Sequence, residues 1–565
     1  MTEWLRRNDL SPATGLVLLL LGFFFFLFLV YPLSHVFSSA FFTDEGFSLI
    51  FFKLMLTNPN YRVILVNSIN LGLMVTLLTT LLSLPLALLF VRYEFPGKGI
   101  LSGLILIPIV LPPFVGAIGM RQLLARFGSI NLLAMKLGLI DQPIDWLGGG
   151  GFWGVVILEV LHLYPIMYLN VVAAMANVDP GLEEAARNMG ASGFKLFRTV
   201  TFPLMLPGYF AGAIIVFIWA FTDLGTPLVF EYREVIAVQI FNMVTDLHQN
   251  PMGYAFVVAV IVLTLFFFFL SKLLVRGERF AMLTRGHVVS SVRQASARVT
   301  ALIYAVVLGI TAVALLPHLG VLLTSLAGKW FFTVLPSEFT FRFYQDVFSH
   351  DLTLLSIKNS LLLSSLSTFL DILLGVSIAY LLTRKRIPGK GILDALAMLP
   401  LALPGLVIAF GYVSVFSGTL LDARHNPMPL LVIAYAVRRL PYMVRAAYAG
   451  FQQISVTLEE AAMNLGASPI RTFYQITFPL IFANLIAGAI LCFSFAMLEV
   501  SDSLILALKE EYYPITKAIY ALLGRIADGP YIASAMGMLG LVLLAGSLCV
   551  AGRFLGHRMG ELFRV

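Results

Sequence analysis

The sequence predicts an all-α polytopic membrane protein of about twelve transmembrane helices, arranged as two homologous six-helix halves. Three observations predict it. Of 565 residues, 59% are hydrophobic and 12% charged, with a mean hydropathy of +0.92, which leaves too little polar surface to coat a soluble globule. Apolar runs of the roughly 20 residues that a spanning helix needs recur from end to end. One 22-residue segment occurs twice, 276 positions apart: EEAARNMGASGFKLFRTVTFPL at 183–204 and EEAAMNLGASPIRTFYQITFPL at 459–480, identical at 13 of 22 positions.

Breaks at charged or Gly/Pro-rich stretches place first-half spans near 13–34, 63–91, 100–120, 152–176, 207–230 and 252–275. Second-half spans fall near 299–327, 359–383, 391–416, 429–450, 484–508 and 532–556. Each is expected to be helical, because lipid-exposed backbone must satisfy its own hydrogen bonds and no alternating barrel pattern occurs. The first span follows Arg6 and Arg7. It is too long for a cleavable signal and lacks a small-residue cleavage site, so a retained helix is expected.

The second and third spans carry their own echoes. FPGKGIL at 95–101 matches IPGKGIL at 387–393, and Asn67-Ser68 matches Asn359-Ser360, both at an offset of 292. The later motif is offset by 276, so the first half holds 16 extra residues, placed most simply in the loop 121–151. The domain reading is a first repeat over 1–275 with its loop at 177–206, a basic linker over 276–298, and a second repeat over 299–565 with its loop at 451–483. Six spans per half give both repeats one orientation, with a symmetry axis along the membrane normal and a central path.

Charge sets the sidedness. The linker region holds Lys272, Arg276, Arg279, Arg285, Arg293 and Arg298 against one acid, and the turn at 384–390 holds Arg384, Lys385, Arg386 and Lys390 against none. Positive loops stay inside, so both termini and both repeated segments are expected in the cytoplasm. Glu231, Glu234 and Asp246 suit an exterior loop, whereas Arg121, Arg126 and Lys136 fit the rule less well. The net charge of +7 therefore reads as orientation, and no nucleic-acid partner is expected. Cys492 and Cys549 lie in apolar runs without metal-ligand spacing and read as small buried residues.

The duplicated segment has local logic. Glu183 to Met189 are good helix formers, Gly190 can end the helix in the left-handed conformation, and Pro203 stiffens the return into the next span. The result is a rigid helical knob, whose small Ala185 and Ala186 allow close approach to a partner and whose acids can bond donors there. Glu184-Ala185-Ala186, Gly190, Val200 and Phe202-Pro203, repeated as Glu460-Ala461-Ala462, Gly466, Ile476 and Phe478-Pro479, resemble the EAA loop of binding-protein-dependent ABC importer permeases. Phenylalanine stands where that family usually has leucine before the proline.

The resemblance implies a type I importer fold in the bacterial inner membrane, with coupling helices carried by Glu183, Glu184, Ala185, Ala186, Gly190 and Pro203 and by Glu459, Glu460, Ala461, Ala462, Gly466 and Pro479. It implies two copies of an ABC ATPase holding ATP and Mg, an exterior solute-binding protein, and one fused chain supplying both permease halves. No GxxxxGK[ST] loop occurs in the sequence, so this chain is expected to bind no cofactor and to be no enzyme. The fused layout, with DWLG at 145–148, LHLYPIMYLNVVAAMANVDP at 161–180 and FTDLGTPLV at 221–229, is similar to ferric-iron importer permeases. Thiamine and aminoethylphosphonate importers share the layout. A gradient-driven secondary transporter and a scaffold that recruits an ATPase without transport are the competing readings.

Within the spans, Asp223 and Glu499 align at the 276 offset. A carboxylate at the bilayer centre costs about 2.5–3.5 kcal/mol, so both should face the bundle interior or water. They are candidates for the translocation path, against the alternative of a helix end reaching solvent. Glu159 and His162 share a helix face and offer half of an iron site, but the second half has Tyr435 and Arg438 there, so an interhelical polar contact is favoured over metal ligation. Asp371 reads as a structural hydrogen bond, and Arg438, Arg439 and Arg445 as snorkelling or paired. Ala-Gly-Ala-Ile at 211–214 and 487–490 suits close helix packing, including between halves. Phe-rich runs at 23–26 and 266–269 read as lipid-facing bulk.

Overall fold

Helix boundaries follow from local chemistry. Ser11 caps the first helix by accepting the Thr14 N–H, with Pro12 in the first turn, where a proline loses nothing. The repeated PGKG turns place Gly97 and Gly389 at φ +70° and +73°, a conformation costly for any residue with a Cβ. New helices begin directly after them at Lys98 and Lys390. The computed structural model describes residues 11–43, 46–244, 251–275, 293–525 and 527–555. Arg6, Arg7, Asp246, Arg276, Arg279 and Arg285 lie outside them.

Among the described residues, nine helices are long and apolar enough to cross a membrane. Two further expected spans, 100–120 and 391–416, are not single helices. Each is broken, Lys98–Val110 from Pro113–Lys136 by a 90° bend and Lys390–Ala402 from Gly405–Phe416 by 103°. Pro112-Pro113 and Pro404 lie at the breaks, where proline removes a donor and disfavours helix in the residue before it. The remaining expected span is the 26-residue helix Met428–Gln453, about 39 Å long at 1.5 Å per residue, whose arginines lower its hydropathy.

The described residues pack into two compact units that do not coincide with the sequence halves. One unit joins Pro59–Val238 to Val262–Arg342. In it, the helix Pro59–Arg92 packs on Phe152–Ala176, and Phe202–Thr222 packs on both. The helix Leu316–Leu326, from the second half of the sequence, crosses Pro113–Leu124 so closely that a Cβ on Gly119 would fall 2.4 Å from the Val321 nitrogen and 2.5 Å from the Pro317 oxygen. Gly119→Leu is therefore expected to lower the thermal midpoint of the purified chain by more than any substitution at an exposed glycine such as Gly190, read by tryptophan fluorescence.

The other unit joins the residues up to Asn58 to Gln239–Ile261 and to the chain from Phe343 onward. Here Asp351–Arg384, Met428–Gln453 and Phe478–Met497 form the mutually packed core. The first-half helix Tyr31–Phe41 lies on Gly405–Phe416, and Tyr412 donates to the Phe28 carbonyl at 2.8 Å.

Equivalent residues do equivalent work in the two units. Ser68 accepts the Ile236 N–H and Ser360 accepts the Ile515 N–H, both at 2.8 Å. Each serine thus caps a helix far away in sequence. The Ala-Gly-Ala-Ile segments pack inside their own halves, not between halves: a Cβ on Gly212 would meet Asn170, and one on Gly488 would meet Ala446. The phenylalanine runs are mixed, with Phe23 and Phe269 exposed but Phe25 buried and the Phe267 ring tilted against that of Phe217, centroids 4.2 Å apart. Cys492 is buried as expected, whereas Cys549 is exposed.

Candidate functional site

The duplicated segments fold alike. The helix Pro180–Asn188 starts under Asp179, whose Oδ1 accepts the Gly181 N–H at 2.8 Å. Val456–Asn464 starts under Ser455. Both helices run out at left-handed glycines, Gly190 at φ +86° and Gly466 at +90°, as the spacing predicts. Short helices Gly193–Leu196 and Pro469–Thr472 follow, each leading into a π-helical turn, Phe197–Thr201 or Phe473–Thr477. Pro203 and Pro479 come directly after. With no N–H to give the preceding turn, a proline there leaves the ladder loosened.

Each knob is pinned by its inner face. Glu459 accepts two hydrogen bonds from the Arg384 Nε, at 3.0 and 3.1 Å, and one from the Thr477 hydroxyl at 3.1 Å. Arg384 also donates to the Phe451 and Ile454 carbonyls, both at 3.0 Å. In the first half Glu183 meets Arg92 at 3.4 Å, Arg187 at 3.1 Å and Thr201 at 2.5 Å. Arg92 and Arg384 end the helices Pro59–Arg92 and Asp351–Arg384, so each loop is fastened to the span that precedes the broken one.

This arrangement corrects the expectation that all the acids and alanines face a partner. Glu183, Glu459 and Ala186 turn inward, because a helix can present only one face outward. Glu184, Ala185, Gly190, Glu460, Ala461 and Gly466 are exposed, Ala462 and Pro203 are half-buried, and Pro479 is exposed. Large apolar side chains stand beside them in solvent: Leu182, Met189 and Phe194 on one loop, and Leu458, Leu465 and Ile470 on the other. Arg92, Arg384, Thr201 and Thr477 did not emerge from the sequence as site residues. Their equal offsets of 292 and 276 were the available signal.

The broken third span crosses its unit. It begins beside the pinned loop, where Lys98 donates to the Tyr93 carbonyl at 2.9 Å. It ends where Arg121 donates to the Val229 carbonyl at 3.2 Å and pairs with Glu231 at 2.7 Å, beyond the far end of Phe202–Thr222. That pairing offsets the positive charge that fitted the orientation rule poorly. The extra loop behind it is stapled by buried Asn131, which donates to the Ile144 carbonyl at 2.7 Å and accepts from Trp146 Nε1 at 2.8 Å. Trp146 belongs to the DWLG motif, and Asp145 closes the turn by accepting the Gly148 N–H.

Asp223 and Glu499 do not end helices in solvent. Both sit where an expected span, 207–230 or 484–508, breaks inside the protein: Phe202–Thr222 gives way to Gly225–Val229, and Phe478–Met497 to Ser501–Leu506. Asp223 accepts the Thr226 N–H at 2.9 Å, and Glu499 accepts backbone N–H groups of Ser501 and Asp502. Their partners differ. Beside Asp223 stand Glu159 and Thr226, whose hydroxyl donates to Glu159 at 2.9 Å. Beside Glu499 stand Arg439, in direct contact, and Arg438 at 3.6 Å, which also approaches Asp502 to 3.9 Å.

Glu159, His162, Asp223 and Thr226 become Tyr435, Arg438, Glu499 and Asp502 at the 276 offset, so one polar layer is built with two chemistries. Glu159 and His162 are not brought to a common ion: His162 Nδ1 lies 3.2 Å from the Pro108 carbonyl at the span break. Arg438 does the matching work in the second half, lying against Gly405 where a Cβ would collide with its guanidinium. Asp371 is buried near Arg439 and Cys492. Among the described residues no three His, Cys, Asp or Glu side chains converge on a metal position.

In the loop between the broken and fourth spans of the second half, Asp422 accepts the Gly418 N–H at 2.7 Å and the Arg424 N–H at 2.9 Å and pairs with the Arg424 guanidinium. The hydrogen bonds from Arg424 hold its carboxyl well below the usual carboxylate range. A depressed folded value stabilises the protein above the unfolded carboxylate pKa, and that stabilisation is lost as pH falls through the folded value. Asp422→Asn is therefore expected to lower the thermal midpoint at pH 7, with the gap to wild type closing in strong acid.

Helices of membrane length, a duplicated surface knob pinned to each unit and a polar layer at each span break define a fused two-repeat transport permease. The family described as "Binding-protein-dependent transport system inner membrane component" matches residues 79–280 and again 371–551, and the chain belongs to that family. It is 27% identical over 526 residues to the ferric transport system permease protein FbpB of Actinobacillus pleuropneumoniae, covering 92% of this chain and 75% of that one. It is 29% identical over 504 residues to the putative ferric transport system permease protein FbpB 1 of Haemophilus influenzae, covering 86% and 77%. A chain of a bacterial ABC transporter that imports the acidic polysaccharide alginate superposes with a TM-score of 0.40 at 17% identity, over 49% of this chain and 98% of that one.

Proposed function

We propose that the two knobs are coupling helices, each docking one copy of a separate ABC ATPase that binds ATP and Mg, and that ATP turnover drives alternating access for ferric iron delivered by an exterior binding protein. The observation that carries this reading is the pinned helix itself: an Arg–Glu–Thr anchor behind, and Glu184, Met189 and Phe194, or Glu460, Leu465 and Ile470, open in front. Rigid support behind and an uncovered apolar and acidic face in front suit a part that transmits force to a partner. The loops and both termini are then cytoplasmic, in the inner membrane of a bacterium, and this subunit is not itself an enzyme. The ferric relatives support the cargo, and iron, as a hard cation, would be held by oxygen ligands on the binding protein.

Asp223 and Glu499 remain the candidates for the translocation path. Proteoliposomes holding the chain, the ATPase and the binding protein should show binding-protein-stimulated ATP hydrolysis together with iron uptake. Glu184→Lys with Glu460→Lys is expected to abolish both without unfolding the permease. Uptake driven by an ion gradient with no ATPase would instead favour a secondary transporter, and hydrolysis without uptake would favour a scaffold. Asp223→Asn with Glu499→Gln should slow uptake at unchanged ATPase docking; unchanged uptake removes the two acids from the path.

A further inference from the structure

The two anchors are not equally satisfied. Arg384 is 7% exposed, with Glu459 and two carbonyls on its nitrogens. Arg92 is 31% exposed, and among the described residues it gives only one nitrogen, to Glu183 at 3.4 Å and Thr201 at 3.3 Å. Beside it lies a cavity of about 340 Å³, within the size range of small-ligand sites. Arg187 and Arg293 also line it. Arg293 is held there by a short parallel strand pairing, Tyr93 with Arg293, and makes no ion pair among the described residues.

Three guanidinium groups and one carboxylate, Glu183, thus line one cavity, an excess of two positive charges among its lining residues. The second half does not reproduce this, because Met463 stands at the Arg187 position and Arg384 gives Nε and one terminal nitrogen to Glu459 and two carbonyls. The cavity touches Glu183 and Arg187, on the inner face of the knob, away from exposed Glu184 and Met189.

We propose that this cavity is an oxyanion site for a phosphomonoester-type group, carried either by a soluble metabolite or by a lipid headgroup. Such a group carries about −1.5 to −2 charge at neutral pH and presents three strong acceptor oxygens, which matches the charge excess and the fork geometry of arginine. A bound group ties Arg187 on the knob to Arg293 on the strand, stiffening the first coupling element alone. The site rests on the importer reading only for its cytoplasmic placement.

The test uses the purified full-length chain without ATPase, so it stands apart from any failure of the importer reading. Calorimetric titration with inorganic phosphate and with glycerol 3-phosphate reads the soluble source. Native mass spectrometry from nanodiscs of phosphatidylcholine with or without phosphatidic acid reads the lipid source. Saturable binding from one source, weakened about tenfold or more in Arg187→Met and in Arg293→Gln, is the expected result, since each removes a charge-assisted hydrogen bond to the bound group. Both variants leave the Arg92–Glu183 contact in place, and each is read separately. The proposal is overturned by the absence of saturable binding from either source, or by binding that neither variant weakens.

Discussion

Arg384→Met is expected to destabilise the permease by about 3–5 kcal/mol, because it leaves Glu459 buried without a counter-charge. The pair is nearly sealed, with 7% and 10% of the two side chains exposed, and Arg384 also satisfies the carbonyls at the end of the fourth span. Arg92→Met should cost far less, about 1 kcal/mol or below, since that pair is partly solvated and Arg187 remains beside Glu183. Thermal unfolding in detergent reads stability; ATP-driven uptake in proteoliposomes reads transmission through each knob. Equal losses from the two substitutions would contradict the unequal anchoring.

Arg439→Met is expected to have a comparable effect, about 3–5 kcal/mol by the same reasoning. Arg439 contacts Glu499, donates to the Phe495 carbonyl at 3.2 Å and lies over the Phe495 ring at 5.6 Å, with Asp371 close by. Its loss leaves Arg438 alone against Glu499 and Asp502 and removes the positive charge beside Asp371. A second substitution separates structure from transport. Arg439→Met combined with Glu499→Leu removes both charges and should recover much of the stability, since an apolar pair of similar volume often replaces a buried ion pair without loss. If the double variant recovers its thermal midpoint and still fails in uptake, Glu499 has a role in transport; recovery of both makes the pair purely structural.

Much of this was legible in the residues. The repeat, the helical knobs and their left-handed glycines follow from local sequence, because a φ near +90° needs glycine whatever surrounds it. The breaks at Pro112 and Pro404 were masked by the apolarity of the runs that contain them, although the prolines were in view. The inward turn of Glu183 was only half readable: Arg187 is one turn away, but Arg92 is 91 residues distant. Asp223 was legible as an acid within a span that should face the bundle interior or water, while its role as the cap of a new helix depends on a break that no periodicity announces. The pairing of first-half residues with second-half ones inside each unit is non-local and left no trace in composition.

That exchange has a temporal consequence. The helix beginning at Pro12 belongs with residues from Phe343 onward, which the ribosome delivers some 300 codons later. At about 5–20 residues per second the delay is roughly 15–60 s, during which the early helix must wait in lipid with its future neighbours unmade. The N-terminal half released alone would therefore hold the Pro12 helix and Gln239–Ile261 without the neighbours they pack on, and would lack Ala297–Ala314 and Leu316–Leu326; two separately expressed halves should assemble only when both are inserted into the same membrane.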